Sequence, residues 1–227
     1  MVNPTEQPEE AWQAEARARM VKRQVEQRGV RDPRILEALR HVRRHEFVPE
    51  EYQAAAYDDS PQPIGAGQTI SQPYIVAVMT QALDLQPTDR VLEIGVGSGY
   101  QTAVLAELVA EVVGVERVPE LAVEARRRLA RLGYDNVIIH IADGTRGYAP
   151  RAPYDGILVA AAAPRIPEPL VAQLAEGGRL VIPVGKGMQQ ELVLVERTPE
   201  GVTRRNLSPV RFVPLIGQHG FRDDEEA

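Results

Sequence analysis

Apolar positions along the chain change period twice, and the changes divide it into three regions. Over residues 14–48 they recur at helical spacing, with Ile35, Leu36, Leu39 and Val42 on one face. Asp32 followed by Pro33 reads as an N-cap with proline at the first helical position, and Pro49-Glu50-Glu51 repeats that start signal. A further apolar helix is expected over 74–85. Short apolar runs then alternate with longer amphipathic ones. Strands are expected at 90–94, 111–116, 136–142, 154–160 and 178–184, and helices at 100–109, 119–132 and 167–175. These runs show almost no polar alternation, as strands covered on both faces should not. The last region, with ELVLVER, the turn TPEG, VTRRNL and VRFVPL, reads as a hairpin and a further strand. The pattern predicts an α/β fold: a doubly wound, mostly parallel sheet with an N-terminal helical segment and an antiparallel C-terminal edge.

Length and composition narrow the field. The 227 residues suit one domain, divided into N-terminal helices and a loop (11–87), an α/β core (88–184) and a C-terminal hairpin with edge strand (185–220). The polar stretches 1–10 and 221–227 are expected to be disordered tails. A net charge of −6 argues against nonspecific binding to nucleic acid. The absence of cysteine removes disulfides, thiolate metal sites and thiol nucleophiles. No run resembles a signal peptide or a membrane span, so a cytoplasmic protein without membrane contact is the expectation; a monomer is one option for an oligomeric state that no motif decides.

The chemistry gathers at strand ends. VLEIGVGSGY sets Gly95, Gly97 and Gly99 after the first strand of the alternating region and at a helix start, where doubly wound sheets bind ligands. The third glycine comes one residue earlier than in the dinucleotide spacing G-x-G-x-x-G, whose last glycine is replaced by Tyr100. Glu93 precedes the loop, and E-x-G-x-G-x-G resembles motif I of S-adenosylmethionine-dependent methyltransferases. Glu116, 17 residues after Gly99 at the end of the second strand, is placed to accept ribose hydroxyls, or else is a solvated surface residue. Asp143-Gly144 ends the third strand, where the aspartate either caps a turn or meets an adenine. No P-loop or G-x-S-x-G spacing is present, and no histidine sits in a triad-like arrangement.

The stretch PIGAGQTISQPYIVAVMTQAL, followed by VLEIGVGSGYQTAVLA, closely resembles the protein-L-isoaspartate O-methyltransferase family. RGVRDPRILEALRHVRRHEFVPEEY, AYDDSPQPIG, YDGILVAAAAPRIPEPL, GGRLVIPVG and VRFVPLIG follow that family's order. VRRHEFVP departs from it by lacking a proline after its first valine. The resemblance implies methyl transfer from S-adenosylmethionine, without a metal, to the free α-carboxyl of L-isoaspartyl residues in damaged proteins and peptides. It implies Ser71 as the catalytic residue and Thr69, Ile70, Ser71, Val213, Pro214 and Leu215 as substrate contacts. Cofactor contacts would come from Gln68, Thr69, Ile70, Ser71, Glu93, Gly95, Gly97, Ser98, Gly99, Glu116, Arg117, Asp143 and Gly144. For Ser71 the residues alone leave a second reading, N-cap of the helix that Pro73 opens. For 213–215 the second reading is core packing. The alternative functions are a small-molecule or nucleic-acid methyltransferase on the same core and a non-catalytic cofactor-binding module.

Overall fold

Gly29 and Asp32 divide the helical N-terminal region. The computed structural model describes residues 10–223. In it α1 (Ala11–Met20) runs on through a π-helical turn, Val21–Val25, and a 3-10 turn, Glu26–Arg28. Gly29 then ends the run with φ 103°, an angle that glycine adopts without Cβ strain. Helix α2 (Pro33–His41) starts where its signal lies, with Asp32 accepting a 2.8 Å bond from the Arg34 N–H. The helical reading to Val48 is corrected: α2 stops at His41, and 3-10 turns at Arg44–Phe47 and Glu50–Ala55 follow. Arg43, where the missing proline was expected, has φ −77°, an angle proline also takes, so the departure leaves the backbone path compatible with either residue. Strands β1 (Gln62–Gly65) and β2 (Gln68–Ile70) then form an antiparallel hairpin that the apolar pattern does not announce. Its turn residues Ala66 and Gly67 have φ 50° and 69°, the positive pair of a tight hairpin turn. Helix α3 (Pro73–Leu83) follows.

The alternating region folds as β3 (Arg90–Ile94), α4 (Tyr100–Ala106), β4 (Glu111–Glu116), α5 (Pro119–Arg131), β5 (Val137–Ile141), β6 (Tyr154–Val159), α6 (Glu168–Ala172) and β7 (Leu174–Lys186). β8 (Gln189–Thr198) and β9 (Gly201–Val210) complete a seven-stranded sheet of order β5-β4-β3-β6-β7-β8-β9. Pairing is parallel from β5 to β7 and antiparallel from β7 to β9. Successive residues of the central strands enter different cores. Val91, Leu158 and Val181 pack with Met20, Leu39 and Leu105, while Leu92, Ile157 and Leu180 pack with Tyr154 and Leu170. Burial on both faces is why these strands read as unbroken apolar runs. Strand order reverses between β3 and β6, which opens a crevice at their C-terminal ends.

Two C-terminal expectations are corrected. VRFVPL is not a further strand: β9 ends at Val210, and the chain beyond it leaves the sheet edge to cross the end of β6. There Ala162 N donates to Val213 O at 2.8 Å and Leu215 N to Ala162 O at 2.7 Å. The pairing is confined to this single parallel bridge, Ala162 with Pro214. Phe221, assigned to a tail, is buried and donates its N–H to Leu215 O at 2.8 Å. Residues 1–9 and 224–227 lie outside the described residues.

Candidate active site

Local backbone chemistry builds the crevice. The loop after β3 is drawn to the end of β4 by Gly95 N donating to Val115 O at 2.8 Å and Gly97 N to Glu116 Oε2 at 2.8 Å. Glu116 Oε1 accepts the Val118 N–H at 2.9 Å, so this buried carboxylate ties two loops together while each oxygen keeps a lone pair. The surface reading of Glu116 is thereby excluded. Gly97, with φ 54°, packs closely: a Cβ there would lie 3.1 Å from Ile64 Cδ1 of β1. The hairpin thus rests on the glycine loop and forms one wall of the crevice.

Gln68, Thr69, Ile70 and Ser71 line that wall. The helix-cap reading of Ser71 fails, because the N-cap of α3 is Gln72, which itself makes no side-chain cap bond. Ser71 is half-buried, and among the described residues its hydroxyl has no protein hydrogen-bond partner. Its position is held from outside. Gln72 Nε2 donates to Asp59 at 3.2 Å, Arg28 donates to Asp59 at 2.7 Å, and the Arg28 guanidinium lies 3.5 Å from the centroid of the Tyr74 ring.

The opposite wall consists of Val213, Pro214 and Leu215, and the floor of Gly95, Gly97, Ser98, Glu116, Arg117 and Gly144. The empty space of the crevice, counted together with the solvent at its open mouth, is about 1080 Å³. Among the described residues, Glu116 and Arg117 are the only charged ones lining it. Arg117 pairs with the exposed Asp223 at 3.0 Å.

Three expected contacts are not brought into the lining. Gly99 is the N-cap of α4 and faces α5, where an added Cβ would lie 3.2 Å from Leu129. Glu93 is fully buried behind the loop, and neither carboxyl oxygen has a hydrogen-bond partner; Thr102 faces it without reaching bonding geometry. Burial pushes the Glu93 carboxyl up to about 8, and the Glu116 charge adds to the rise. Asp143 Oδ1 accepts from Thr145 N at 2.9 Å and Thr145 Oγ1 at 2.7 Å, and Oδ2 accepts from Gln218 N at 2.8 Å. Partial burial opposes its charge, but those bonds together outweigh burial and hold its carboxyl below the ordinary aspartate value. The turn-capping reading of Asp143 is the one its hydrogen bonds support.

Ile64, Gln101, Ala160, Ala161, Phe212 and Ile216 also line the crevice and were not anticipated. The run VAAAAP held a usable signal, since small residues at the end of a central strand leave space for a ligand. Among the described residues no group of three or more His, Cys, Asp or Glu is placed to hold a metal.

Residues 15–220 match the model of the protein-L-isoaspartate(D-aspartate) O-methyltransferase family. A protein-L-isoaspartate O-methyltransferase of Syntrophobacter fumaroxidans is 57% identical over 206 residues, covering 91% of this chain and 96% of the relative. One from Methanoculleus marisnigri is 54% identical over 208 residues, covering 92% and 94%. Among solved structures, a protein-L-isoaspartate O-methyltransferase superposes with TM-score 0.82 at 29% identity, over 90% of this chain and 67% of its own. A Plasmodium falciparum chain named for beta-aspartate methyltransferase, solved with S-adenosyl-L-homocysteine, gives TM-score 0.77 at 28% identity over 88% and 98%.

Proposed function

We propose a division of labour for this chain, which belongs to the protein-L-isoaspartate O-methyltransferase family: Glu116 and the glycine loop hold the cofactor, Ser71 and the 213–215 span hold the peptide, and no residue acts as a base. The reaction is methylation, by S-adenosylmethionine, of the free α-carboxyl of L-isoaspartyl residues in damaged proteins, which begins their repair. When bound, S-adenosylmethionine supplies an electrophilic methyl group carried on a positively charged sulfur. The crevice suits such a group. Glu116 retains acceptor capacity for a ribose diol after bonding Gly97 and Val118, and Gly95, Gly97 and Ser98 expose loop backbone beside it.

The single observation that carries the assignment of Ser71 is its hydroxyl, which among the described residues is unbonded to protein and faces a crevice whose only lining cation is Arg117. An isoaspartyl carboxyl, with a reference pKa of about 4, is ionised near pH 7 and needs no base. Pairing with arginine or lysine would draw charge from the attacking oxygen. A neutral hydroxyl donor orients the carboxylate with less of that loss. The rate advantage then comes from alignment. The extended main chain of 213–215 supports a contact to peptide backbone that tolerates varied side chains. A monomer acting in the cytoplasm on protein, with no nucleic-acid or membrane partner, belongs to the same proposal; the net charge of −6 supports it. No helix among the described residues is long and apolar enough to cross a membrane.

The test is a competition between paired peptides that differ only in having L-isoaspartate or aspartate at one position. The two carboxyls have similar basicity, but the isoaspartyl carboxyl hangs one methylene nearer the main chain. A displacement of about 1 Å can cost on the order of a hundredfold in rate. The isoaspartyl peptide is expected to be methylated at least that much faster, and equal initial rates would overturn the substrate assignment.

A further inference from the structure

Gln190 stands at the start of β8, far in sequence from every residue so far given a role, yet its buried side chain replaces a missing strand. The amide Nε2 donates to Phe212 O at 3.2 Å, and Oε1 accepts the Phe212 N–H at 2.7 Å. One carboxamide thus satisfies both main-chain groups of the residue at which the chain leaves β9 for the crevice. Six residues further on, the chain is pinned again. Asp143 Oδ2 accepts the Gln218 N–H, and Thr145 Oγ1 accepts the His219 N–H at 3.1 Å. Between the two anchors run Val213, Pro214 and Leu215, whose main-chain hydrogen bonds among the described residues are with Ala162 and Phe221 alone.

We propose that Gln190 is a positioning residue for the peptide substrate: by fixing Phe212 it holds the 213–215 span at the height over the crevice at which peptide backbone can bind. The span pairs with the sheet side of the crevice at one isolated bridge, to Ala162, so the sheet does not fix it by itself. The side-chain amide does so instead, and at the upstream end, where the span leaves the sheet. The inference rests on the assignment of 213–215 to the peptide, and it extends the site to a strand outside the crevice lining.

The test compares wild type, Gln190→Leu and Gln190→Glu, measuring KM and kcat for an isoaspartyl peptide, the Kd for S-adenosylhomocysteine and the melting temperature. Gln190→Leu keeps apolar bulk but neither donates nor accepts. It is expected to raise the peptide KM at least tenfold while changing the cofactor Kd less than threefold. Gln190→Glu supplies the acceptor always but the donor only when protonated. A carboxyl buried at this position has its pKa raised, so its KM relative to wild type should recover as pH is lowered from about 8 to about 6. A peptide KM unchanged in Gln190→Leu overturns the proposal, as does a rise matched by an equal loss of cofactor affinity. Should Gln190→Leu not fold, Gln190→Glu carries the decision: a KM ratio independent of pH overturns it. Wild type that fails to methylate the peptide refutes the substrate assignment instead, which separates the two failures.

Discussion

Ser71 lies one residue outside the cap of α3, and that single step leaves its hydroxyl uncommitted to the helix end. Removing a true N-cap costs on the order of 1 kcal/mol of stability. Ser71→Ala is therefore expected to leave the melting temperature within error and to lower kcat/KM on isoaspartyl peptide by roughly ten- to a hundredfold, the scale of lost alignment. Full activity with a lowered melting temperature would restore the cap reading. Glu116 is expected to behave differently, because its carboxylate already holds two main-chain N–H groups. Glu116→Ala should weaken S-adenosylhomocysteine binding by on the order of tenfold to a hundredfold and also lower the melting temperature, since loop and ligand share one acceptor. Calorimetry showing unchanged affinity in a folded variant would remove Glu116 from the cofactor site. Glu93, Glu116 and Asp143 look equivalent in the sequence: each is an acid at or near the end of a parallel strand. Their side chains go to the interior, the crevice and a turn respectively. Direction is set by strand pleat and by which N–H groups lie within reach, neither of which is written at the residue itself.

At the scale of elements, β3, β4, β6 and β7 were legible because burial on both faces leaves little choice but apolar residues, whereas β5, at the sheet edge with only Ile139 buried, was legible from its β-branched run. The hairpin of β1 and β2 was not, since its strands span four and three residues, too few for a period to show. VRFVPL misled in the other direction. Its composition suits a strand, but the side chain of Gln190, twenty-two residues away, takes the main-chain bonds of Phe212. The hairpin's contact with the glycine loop yields a coupling that can be measured. Gly97→Ala adds a methyl 3.1 Å from Ile64 Cδ1 at a residue with φ 54°, so it should loosen cofactor binding through both crowding and backbone strain. Ile64→Ala removes the crowding but leaves the strain. In a four-protein cycle the double variant is expected to bind S-adenosylhomocysteine more tightly than the sum of the single losses implies. Strict additivity would mean that the hairpin does not bear on the loop.

Across the whole molecule, a carboxyl sealed behind the cofactor loop makes stability depend on pH in a direction opposite to that of most surface acids. Glu93 is fully buried without a bonded partner, and its pKa rises from an ordinary 4.5 to about 8. Below about 4.5 the group is protonated in both folded and unfolded chains and has no pH-dependent effect. Between 4.5 and about 8 the folded chain holds the proton and the unfolded chain does not, so stability falls steadily as pH rises. Above about 8 both states are ionised, and the loss levels off. Asp143 acts with the opposite sign: its lowered pKa contributes stability that is present at neutral pH and is lost as pH falls through the acid range. Glu93→Gln removes the first dependence and leaves the second. Its melting temperature relative to wild type should therefore climb with pH across the interval from 4.5 to about 8 and reach a plateau beyond it. A difference that stays flat over that interval would show that the Glu93 carboxyl titrates normally in the folded protein, and with it that the space behind the glycine loop is open to water.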